Sequence, residues 1–236
     1  MGRNPVTEAL KAGREVEKIM VSQREGSIIK ILGLAKDKGI PVMYVERTAL
    51  DRISGGKAHQ GIIAFVSEYR YSNIEDIFAL AKKREEEPFI IVLDGIEDPH
   101  NLGAILRSAE CSGAHGVIIP KRNAVGLTEV VAKTSAGAIE YVPVVKVTNI
   151  AATLEELKER NVWTVCLDMD GRNYTEISMD KGIALVVGSE GFGVSRLVKE
   201  KCDFVASLPL KGKITSLNAS NAGAVMMYEV RRQRDL

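Results

Sequence analysis

Cysteine is scarce in this chain, and long apolar runs are missing. The 236 residues contain three cysteines, Cys111, Cys166 and Cys202, an odd number scattered along the sequence. That usage argues against a disulfide scaffold and predicts reduced thiols in a cytoplasmic protein. No apolar run reaches the ~18 residues that a membrane span needs, and no signal peptide opens the chain. We therefore expect a cytoplasmic protein with no membrane-spanning segment.

The chain also lacks an excess of charge of either sign. Its 32 Lys and Arg against 31 Asp and Glu leave a formal net charge of +1. Net charge therefore gives no reason to expect binding to nucleic acid. Residues 1–68 carry 11 basic and 8 acidic residues, whereas the remainder carries 21 and 23. This small asymmetry favours contact with a polyanion through the N-terminal part.

Metal and common nucleotide motifs are missing as well. The histidines, His59, His100 and His115, lack ligand-like partners, and Cys111 with His115 does not make the paired spacing of a zinc site. We expect no metal. A G-x-G-x-x-G turn with a following ribose-binding acid is absent, which disfavours a nicotinamide site. Residues 212–214 (GKI) lack the hydroxyl that a phosphate-binding loop needs after its lysine.

Apolar patterning divides the chain into three parts. Residues 1–68 alternate short helices and strands and predict a small α/β domain. A possible helix followed by the mixed charge run Lys82–Glu87 predicts a linker over 69–87. From 88 to 236, helical segments alternate with short continuous apolar runs, such as Phe89–Leu93 and Ile183–Val187. Continuous runs suit strands that are buried on both faces, so we predict a mostly parallel sheet with helices on both faces.

Three loops that follow these strands have unusual content, and ligands of open parallel sheets bind at this edge. The first begins a helix with Asp98 as N-cap and Pro99 in the first turn. Arg107 lies off the apolar stripe of that helix, on a face of small residues with Gly103 where another chain could come close. Taken alone, Arg107 is more simply a surface arginine, and Asn101 is equally well an ordinary helix-start residue.

The second loop, Gly188–Gly193, places three glycines around Glu190, so that the backbone could approach a ligand closely. The third, Leu208–Ala222, has two lysines and a glycine before a helix start that contains Ser216 and Asn218. On its own that segment indicates a polar helix cap. Each loop by itself is a weak signal.

Together the three loops resemble the ordered motifs of the SpoU (TrmH-like) RNA 2′-O-ribose methyltransferases. They match D-P-x-N-x-G-x-x-x-R-x-A at 98–109, G-x-E-G-x-G at 188–193 and P-x-x-G-x-x-x-S-L-N-x-S at 209–220. Residues 2–10, 59–61 and 133–138 resemble the RlmB-like branch, which methylates a guanosine ribose in 23S ribosomal RNA. The resemblance covers nearly the whole chain.

This resemblance implies an α/β catalytic domain with a C-terminal trefoil knot, preceded by a ribosomal-protein-like domain that binds the RNA substrate. It implies a homodimer with active sites near the subunit interface and large-subunit ribosomal RNA as the partner. The methyl donor is S-adenosyl-L-methionine. Carried over by motif position, the cofactor-binding residues are Gly188, Leu208, Leu217 and, as a weaker candidate, Leu167.

The same resemblance assigns five residues to methyl transfer: Arg107, Asn101, Glu190, Ser216 and Asn218. In the family, the motif-one arginine is proposed as the base that deprotonates the ribose hydroxyl. Because arginine is normally locked in its charged form, a phosphate-clamping role for Arg107, with Glu190 or water as the base, fits as well. A sister methyltransferase that acts on transfer RNA and a catalytically silent RNA-binding homologue remain the alternatives.

Overall fold

The structure is a computed structural model that describes residues 1–11, 15–66 and 69–235. Its contacts divide the chain into two units, Met1–Arg70 and Tyr71–Leu236. Residue 68, where the sequence predicts the end of the first domain, lies outside the described residues. None of the helices in the described ranges is long and apolar enough to cross a membrane.

The first unit is a small sheet with helices. Its elements are α1 (Arg3–Lys11), β1 (Val16–Val21), α2 (Ser27–Asp37), β2 (Val42–Tyr44), α3 (Arg47–Ser54) and β3 (Ile62–Val66). Within the described residues the strand order is β2-β1-β3, with β1 parallel to β2 and antiparallel to β3. Its core joins α1, α2 and the sheet through residues such as Leu10, Ile19 and Ile31. Helix α3 was not predicted.

Two stretches that carry the RlmB-like resemblance meet in this unit. The backbone N–H of Arg3 donates to Gln60 Oε1 at 3.0 Å, and the Arg3 side chain donates to the Gln60 carbonyl at 3.2 Å. His59 is buried, with Nε2 2.8 Å from Asp51 Oδ1 and with Nδ1 accepting from the Gly61 N–H. These contacts tie the N-terminus to the start of β3 and give both stretches a structural role.

The second unit contains the larger sheet. Its elements are α4 (Ile74–Arg84), β4 (Phe89–Asp94), α5 (Pro99–Cys111), β5 (Gly116–Pro120), α6 (Glu129–Thr134), β6 (Val144–Val147), α7 (Ile150–Glu159), β7 (Trp163–Asn173), β8 (Ile183–Gly188), α8 (Arg196–Lys201), β9 (Phe204–Ser207) and α9 (Ala219–Arg234). In the described residues the strand order is β6-β5-β4-β8-β7-β9, and every pair is parallel. The predicted parallel α/β sheet is confirmed.

Helices cover both faces of this sheet. On β8, Val186 belongs to a core cluster with Leu154 of α7 and Val198 of α8. The next residue, Val187, lies against Gly223 of α9. Because successive side chains of a strand point to opposite faces, α7 and α8 lie on one face and α9 on the other. Strand β4 is buried along nearly its whole length, as its continuous apolar run predicts.

The segment predicted as a linker is largely a helix of the second unit. Ile77 of α4 is fully buried in the same core cluster as Ile90 and Leu154, and Phe78 packs against that cluster. The charged last turn of α4, with Lys82, Lys83 and Arg84, is exposed. The mixed charge run therefore marks the end of a packed helix, and the linker prediction is wrong for residues 74–84.

His115 is buried beneath the first strand of this sheet. Its Nδ1 accepts a hydrogen bond from the Phe89 N–H at 3.0 Å, and its Nε2 lies 3.2 Å from Glu86 Oε2. Burial lowers the pKa of His115 to about 4, although the nearby Glu86 charge opposes the shift. The ring is therefore neutral at pH 7.

Candidate active site

Three residues from the three motif loops form one hydrogen-bonded cluster. Asn101 Nδ2 donates to Glu190 Oε1 at 3.2 Å, and Asn218 Nδ2 donates to Asn101 Oδ1 at 2.9 Å. Asn218 Nδ2 also donates to Glu190 Oε1. The contacts span up to 117 positions of sequence. The expected convergence of the three loops is therefore observed, and we call these residues the Asn–Glu–Asn cluster.

The cap of α9 determines how this cluster is oriented. Asn218 Oδ1 accepts from the backbone N–H groups of Ser220 and Asn221 at 3.0 and 3.3 Å and from Ser220 Oγ at 2.5 Å. Its amide nitrogen must then point away from the helix, toward Asn101 and Glu190. Asn101 is only 7% exposed, so both ends of its amide need partners. Glu190 Oε1 accepts a hydrogen bond from each of the two amides.

A cavity of about 300 Å³ opens beside this cluster. Glu190 and Ser216 line this cavity. So do all four residues that the resemblance assigns to the cofactor: Leu167, Gly188, Leu208 and Leu217. These residues come from the middle of β7, from the end of β8 and from the segment between β9 and α9. The lining combines leucine side chains with hydroxyl and carboxylate groups, which is the usual mixture of a small-molecule site.

Gly188 is required by the tight loop that follows β8. Ser189 and Gly193 exchange two backbone hydrogen bonds, at 3.1 and 2.8 Å, which fold Glu190, Gly191 and Phe192 into the tip. A Cβ at position 188 would lie 2.0–2.2 Å from backbone atoms of Gly193 and Val194. Since real side chains do not come that close, only glycine allows this loop to close against the cavity.

Among the residues of the cavity wall that the sequence reasoning missed are Asp168 and Phe192. Asp168 directly follows Leu167 within β7, and its Oδ2 lies 2.9 Å from Lys199 Nζ. Burial alone would raise the pKa of Asp168, but the Lys199 ammonium and the Met169 N–H outweigh it, and the pKa lies below its usual value. Phe192, within the second motif, lines the cavity and is 97% exposed. An acid directly after an apolar run and an aromatic residue among glycines were the signals available.

Arg107 lies outside this site. Its side chain is exposed, it is not part of the cavity lining, and it forms no ion pair with any residue that the structure describes. The face that it was expected to share with Gly103 is not open either. A Cβ at Gly103 would lie 2.0 Å from Thr134 Oγ1 of α6. The small residue therefore admits α6 of the same chain, and the prediction of a second chain at Gly103 is wrong.

Comparison with known families explains the convergence. A model of the SpoU rRNA methylase family matches residues 88–228, and a model for RNA 2′-O ribose methyltransferase substrate binding matches residues 1–72. The chain belongs to the SpoU rRNA methylase family. It is an RNA methyltransferase of the TrmH/SpoU class.

Relatives resemble the SpoU-family chain over its full length. It is 49% identical over 238 residues to the TrmH family tRNA/rRNA methyltransferase YacO of Bacillus subtilis (strain 168), covering 100% of this chain and 95% of the relative. A TrmH family tRNA/rRNA methyltransferase of Staphylococcus haemolyticus (strain JCSC1435) is 45% identical over 237 residues, covering 99% and 95%. Both names leave the choice between transfer and ribosomal RNA open.

Solved structures share the fold. The SpoU methyltransferase AviRb from Streptomyces viridochromogenes, solved in complex with AdoMet, has a TM-score of 0.64 at 24% identity, covering 100% of this chain and 89% of that one. The TrmH/SpoU tRNA modifying enzyme of A. aeolicus has a TM-score of 0.58 at 28% identity, covering 67% of this chain and 83% of that one. The likeness to AviRb supports the α/β fold of the SpoU family.

Proposed function

We propose that this SpoU-family enzyme transfers a methyl group from S-adenosyl-L-methionine to a ribose 2′-hydroxyl of RNA. The target that we favour is a guanosine of 23S ribosomal RNA, as in the RlmB-like branch that residues 2–10 and 59–61 resemble. The observation that carries the proposal is the Asn–Glu–Asn cluster, whose Glu190 also lines the cavity of Leu167, Gly188, Leu208 and Leu217.

The cavity suits a ligand that combines a nucleoside with an amino acid. The leucines at 167, 208 and 217 offer apolar surface for a purine ring, while Ser216 and the backbone of the Gly188–Gly193 loop offer polar contacts. We infer that Gly188, Leu208, Leu217 and Leu167 hold the cofactor. When bound, S-adenosylmethionine supplies an electrophilic sulfonium methyl group.

The chain's own task is then to orient the ribose and to accept its proton. Glu190 Oε1 is occupied by the two amides, whereas Oε2 forms no hydrogen bond with any described residue. Oε2 is therefore the acceptor that we assign to the 2′-hydroxyl, directly or through one water. Asn101 and Asn218 hold the carboxylate in place, and Ser216 orients the substrate from the cavity wall.

Arg107 takes a different role in this proposal. Arginine is normally locked in its charged form, and Arg107 is exposed and without an ion-pair partner in the described residues. Both properties suit a clamp on an RNA phosphate rather than a base. We also propose a homodimer, with residues 1–68 binding large-subunit ribosomal RNA.

We further propose that residues 88–236 form a trefoil knot. Strand β8 is inserted between β4 and β7, although β7 precedes it in the chain. After β9, the chain returns so that Asn218 contacts Asn101 at the start of α5. These crossings are what a threaded C-terminal segment requires.

The decisive experiment supplies labelled S-adenosylmethionine together with naked 23S RNA, large ribosomal particles or transfer RNA. We expect label in a 2′-O-methylguanosine of 23S RNA, identified by a dinucleotide that resists alkaline hydrolysis. Label in transfer RNA alone would assign the enzyme to the sister class. Label on a base, or cofactor binding without transfer to any RNA, would contradict the proposal.

A further inference from the structure

A second cavity, of about 420 Å³, lies on the other side of the Gly188–Gly193 loop. It is formed at the carboxyl ends of β4, β5 and β6 and shares Ser189, Phe192 and Gly193 with the first cavity. The strand order reverses between β4 and β8, and crevices at such positions are the usual ligand sites of open parallel sheets. We call it the second cavity. None of the residues assigned to methyl transfer lines it.

Its wall has the surface that a flat, partly apolar ligand needs. Ile150 and Val198 are buried lining residues, and Leu197 lines it with 57% of its surface exposed. Phe192 is 97% exposed at the boundary between the two cavities, on a loop held closed by backbone hydrogen bonds. Phe192 therefore gains nothing from intramolecular packing, and a fully solvated phenyl ring beside a cavity is suited to stacking on a ligand.

The polar side chains of the second cavity differ in whether they already have partners within the protein. Asp94 Oδ2 accepts from the Ser195 N–H at 2.7 Å, and Asn149 Oδ1 accepts from the Ala152 N–H at the start of α7. Arg122 is exposed and has no ion-pair partner among the residues that the structure describes. The cavity thus combines an available aromatic face with an available guanidinium, which are the groups that bind the base and the phosphate of single-stranded RNA.

We propose that the second cavity binds one unpaired nucleotide of the RNA substrate, with its base stacked on Phe192 and a phosphate near Arg122. This inference rests on the proposed function, because the RNA must present its 2′-hydroxyl on the cofactor side of the same loop. A nucleotide seated in the second cavity holds the chain of the RNA next to Glu190. The cavity therefore selects for a single-stranded target whose base can leave its stack.

Substitutions at Phe192 test the stacking. Replacement by Ala or Leu removes the aromatic face, and we expect the KM for RNA to rise about tenfold, a size typical of one lost base stack. Phe192→Tyr keeps the ring and should restore a KM within about twofold of the original. Because Phe192 also lines the first cavity, the KM for RNA is measured with S-adenosylmethionine at saturation for each variant.

Arg122 provides an independent test with a matched control. We expect Arg122→Ala to raise the KM for RNA about tenfold and to reduce its dependence on salt. Arg196→Ala, which also removes an exposed arginine but lies outside both cavities, should leave the KM unchanged. Equal effects of the two variants would reduce the role of Arg122 to general surface charge and overturn the phosphate assignment.

Other outcomes also decide the question. If Phe192→Leu behaves like Phe192→Tyr, the residue is only apolar packing and the stacking proposal fails. If Phe192→Ala changes the sedimentation coefficient and leaves the KM alone, the loop contacts a second protein chain instead. Failure of the parent enzyme to bind cofactor or to methylate any RNA would refute the proposed function itself. If the parent enzyme methylates RNA but the Phe192 and Arg122 variants leave the KM for RNA unchanged, only the second-cavity inference is refuted.

Discussion

Asn218 illustrates how one residue can serve both a helix and a site. Its oxygen accepts from the first N–H groups of α9, while its nitrogen donates to Asn101 and Glu190. A helix cap and a functional hydrogen bond are usually alternative explanations for an asparagine. Here the cap fixes the direction of the amide, so the two roles depend on each other.

Asn218→Asp separates these roles. The carboxylate keeps a capping oxygen and the shape of the side chain, but it removes the donor and faces Glu190 with a like charge. We expect α9 to stay folded by circular dichroism while methyl transfer falls at least ~100-fold, the typical effect of losing one positioned donor. Asn173→Asp, at the cap of a surface turn, should change neither quantity. Normal turnover by Asn218→Asp would contradict the positioning role.

Arg107 is tested by a pair of variants. We expect Arg107→Ala to lower kcat/KM for RNA more than ~100-fold, because the proposed clamp on an RNA phosphate is lost. Arg107→Lys keeps a cation and should retain about a tenth of the activity, whereas neither variant should change cofactor affinity. If the lysine variant is as inactive as the alanine variant, a charge-only clamp is the wrong explanation.

His115 should make the stability of the fold depend on pH. Its folded-state pKa of about 4 is below the usual value of 6.5, so the unfolded chain binds more protons between these limits. The free energy of unfolding is then fully present above pH 6.5 and falls by up to about 3 kcal/mol as the pH drops to 4. His115→Asn keeps an acceptor for the Phe89 N–H and should flatten this slope in urea titrations. An unchanged slope would mean that other groups dominate the acid response.

At the scale of elements, helix α4 and the Gly188–Gly193 loop show why boundaries and loops are hard to infer. A helix whose last three residues begin a run of six charged residues looks like a linker, yet its first turns are packed against the sheet. The loop contains a motif that sequence can recognise, but its closure depends on two backbone hydrogen bonds between Ser189 and Gly193. Side-chain patterns carry no direct sign of such contacts.

Ile77→Ala distinguishes a packed helix from a linker. Removing a fully buried Ile from a well-packed core typically costs 2–5 kcal/mol, so we expect about that loss in the free energy of unfolding of the second unit. The matched change Lys83→Ala, on the exposed end of α4, should cost less than about 0.5 kcal/mol. Denaturant melts of both variants provide the measurement, and equal stability would support the linker prediction instead.

At the scale of the whole molecule, each unit has its own hydrophobic core. The core around Ile19 and Ile31 contains only residues of the first unit, whereas the core around Ile90 and Leu154 contains only residues of the second. Separate cores make it possible for the units to fold independently. The site residues and both cavities belong to the second unit.

A chain shortened to Tyr71–Leu236 tests whether the second unit alone binds the cofactor and the first unit binds the RNA. We expect it to unfold cooperatively and to bind S-adenosylmethionine within about threefold of the full chain, because every residue of the first cavity remains. Its KM for 23S RNA should rise at least ~10-fold, since the unit matched to substrate binding is gone. Unchanged RNA kinetics would rule out residues 1–68 as a substrate-binding domain.

The sequence by itself determined the class of fold and the convergence of Asn101, Glu190 and Asn218. Continuous apolar runs predicted buried parallel strands, and three spaced motifs predicted that Asn101, Glu190 and Asn218 belong together; the structure confirms both. Buried strands and spaced motifs can be recognised from sequence because they depend only on residue type and spacing. Tertiary structure alone decided that α6 fills the space at Gly103, that α4 is packed and that a second cavity lies beside Phe192. Each of these features depends on which distant segment of the chain packs against the residue. The local sequence pattern does not determine that contact.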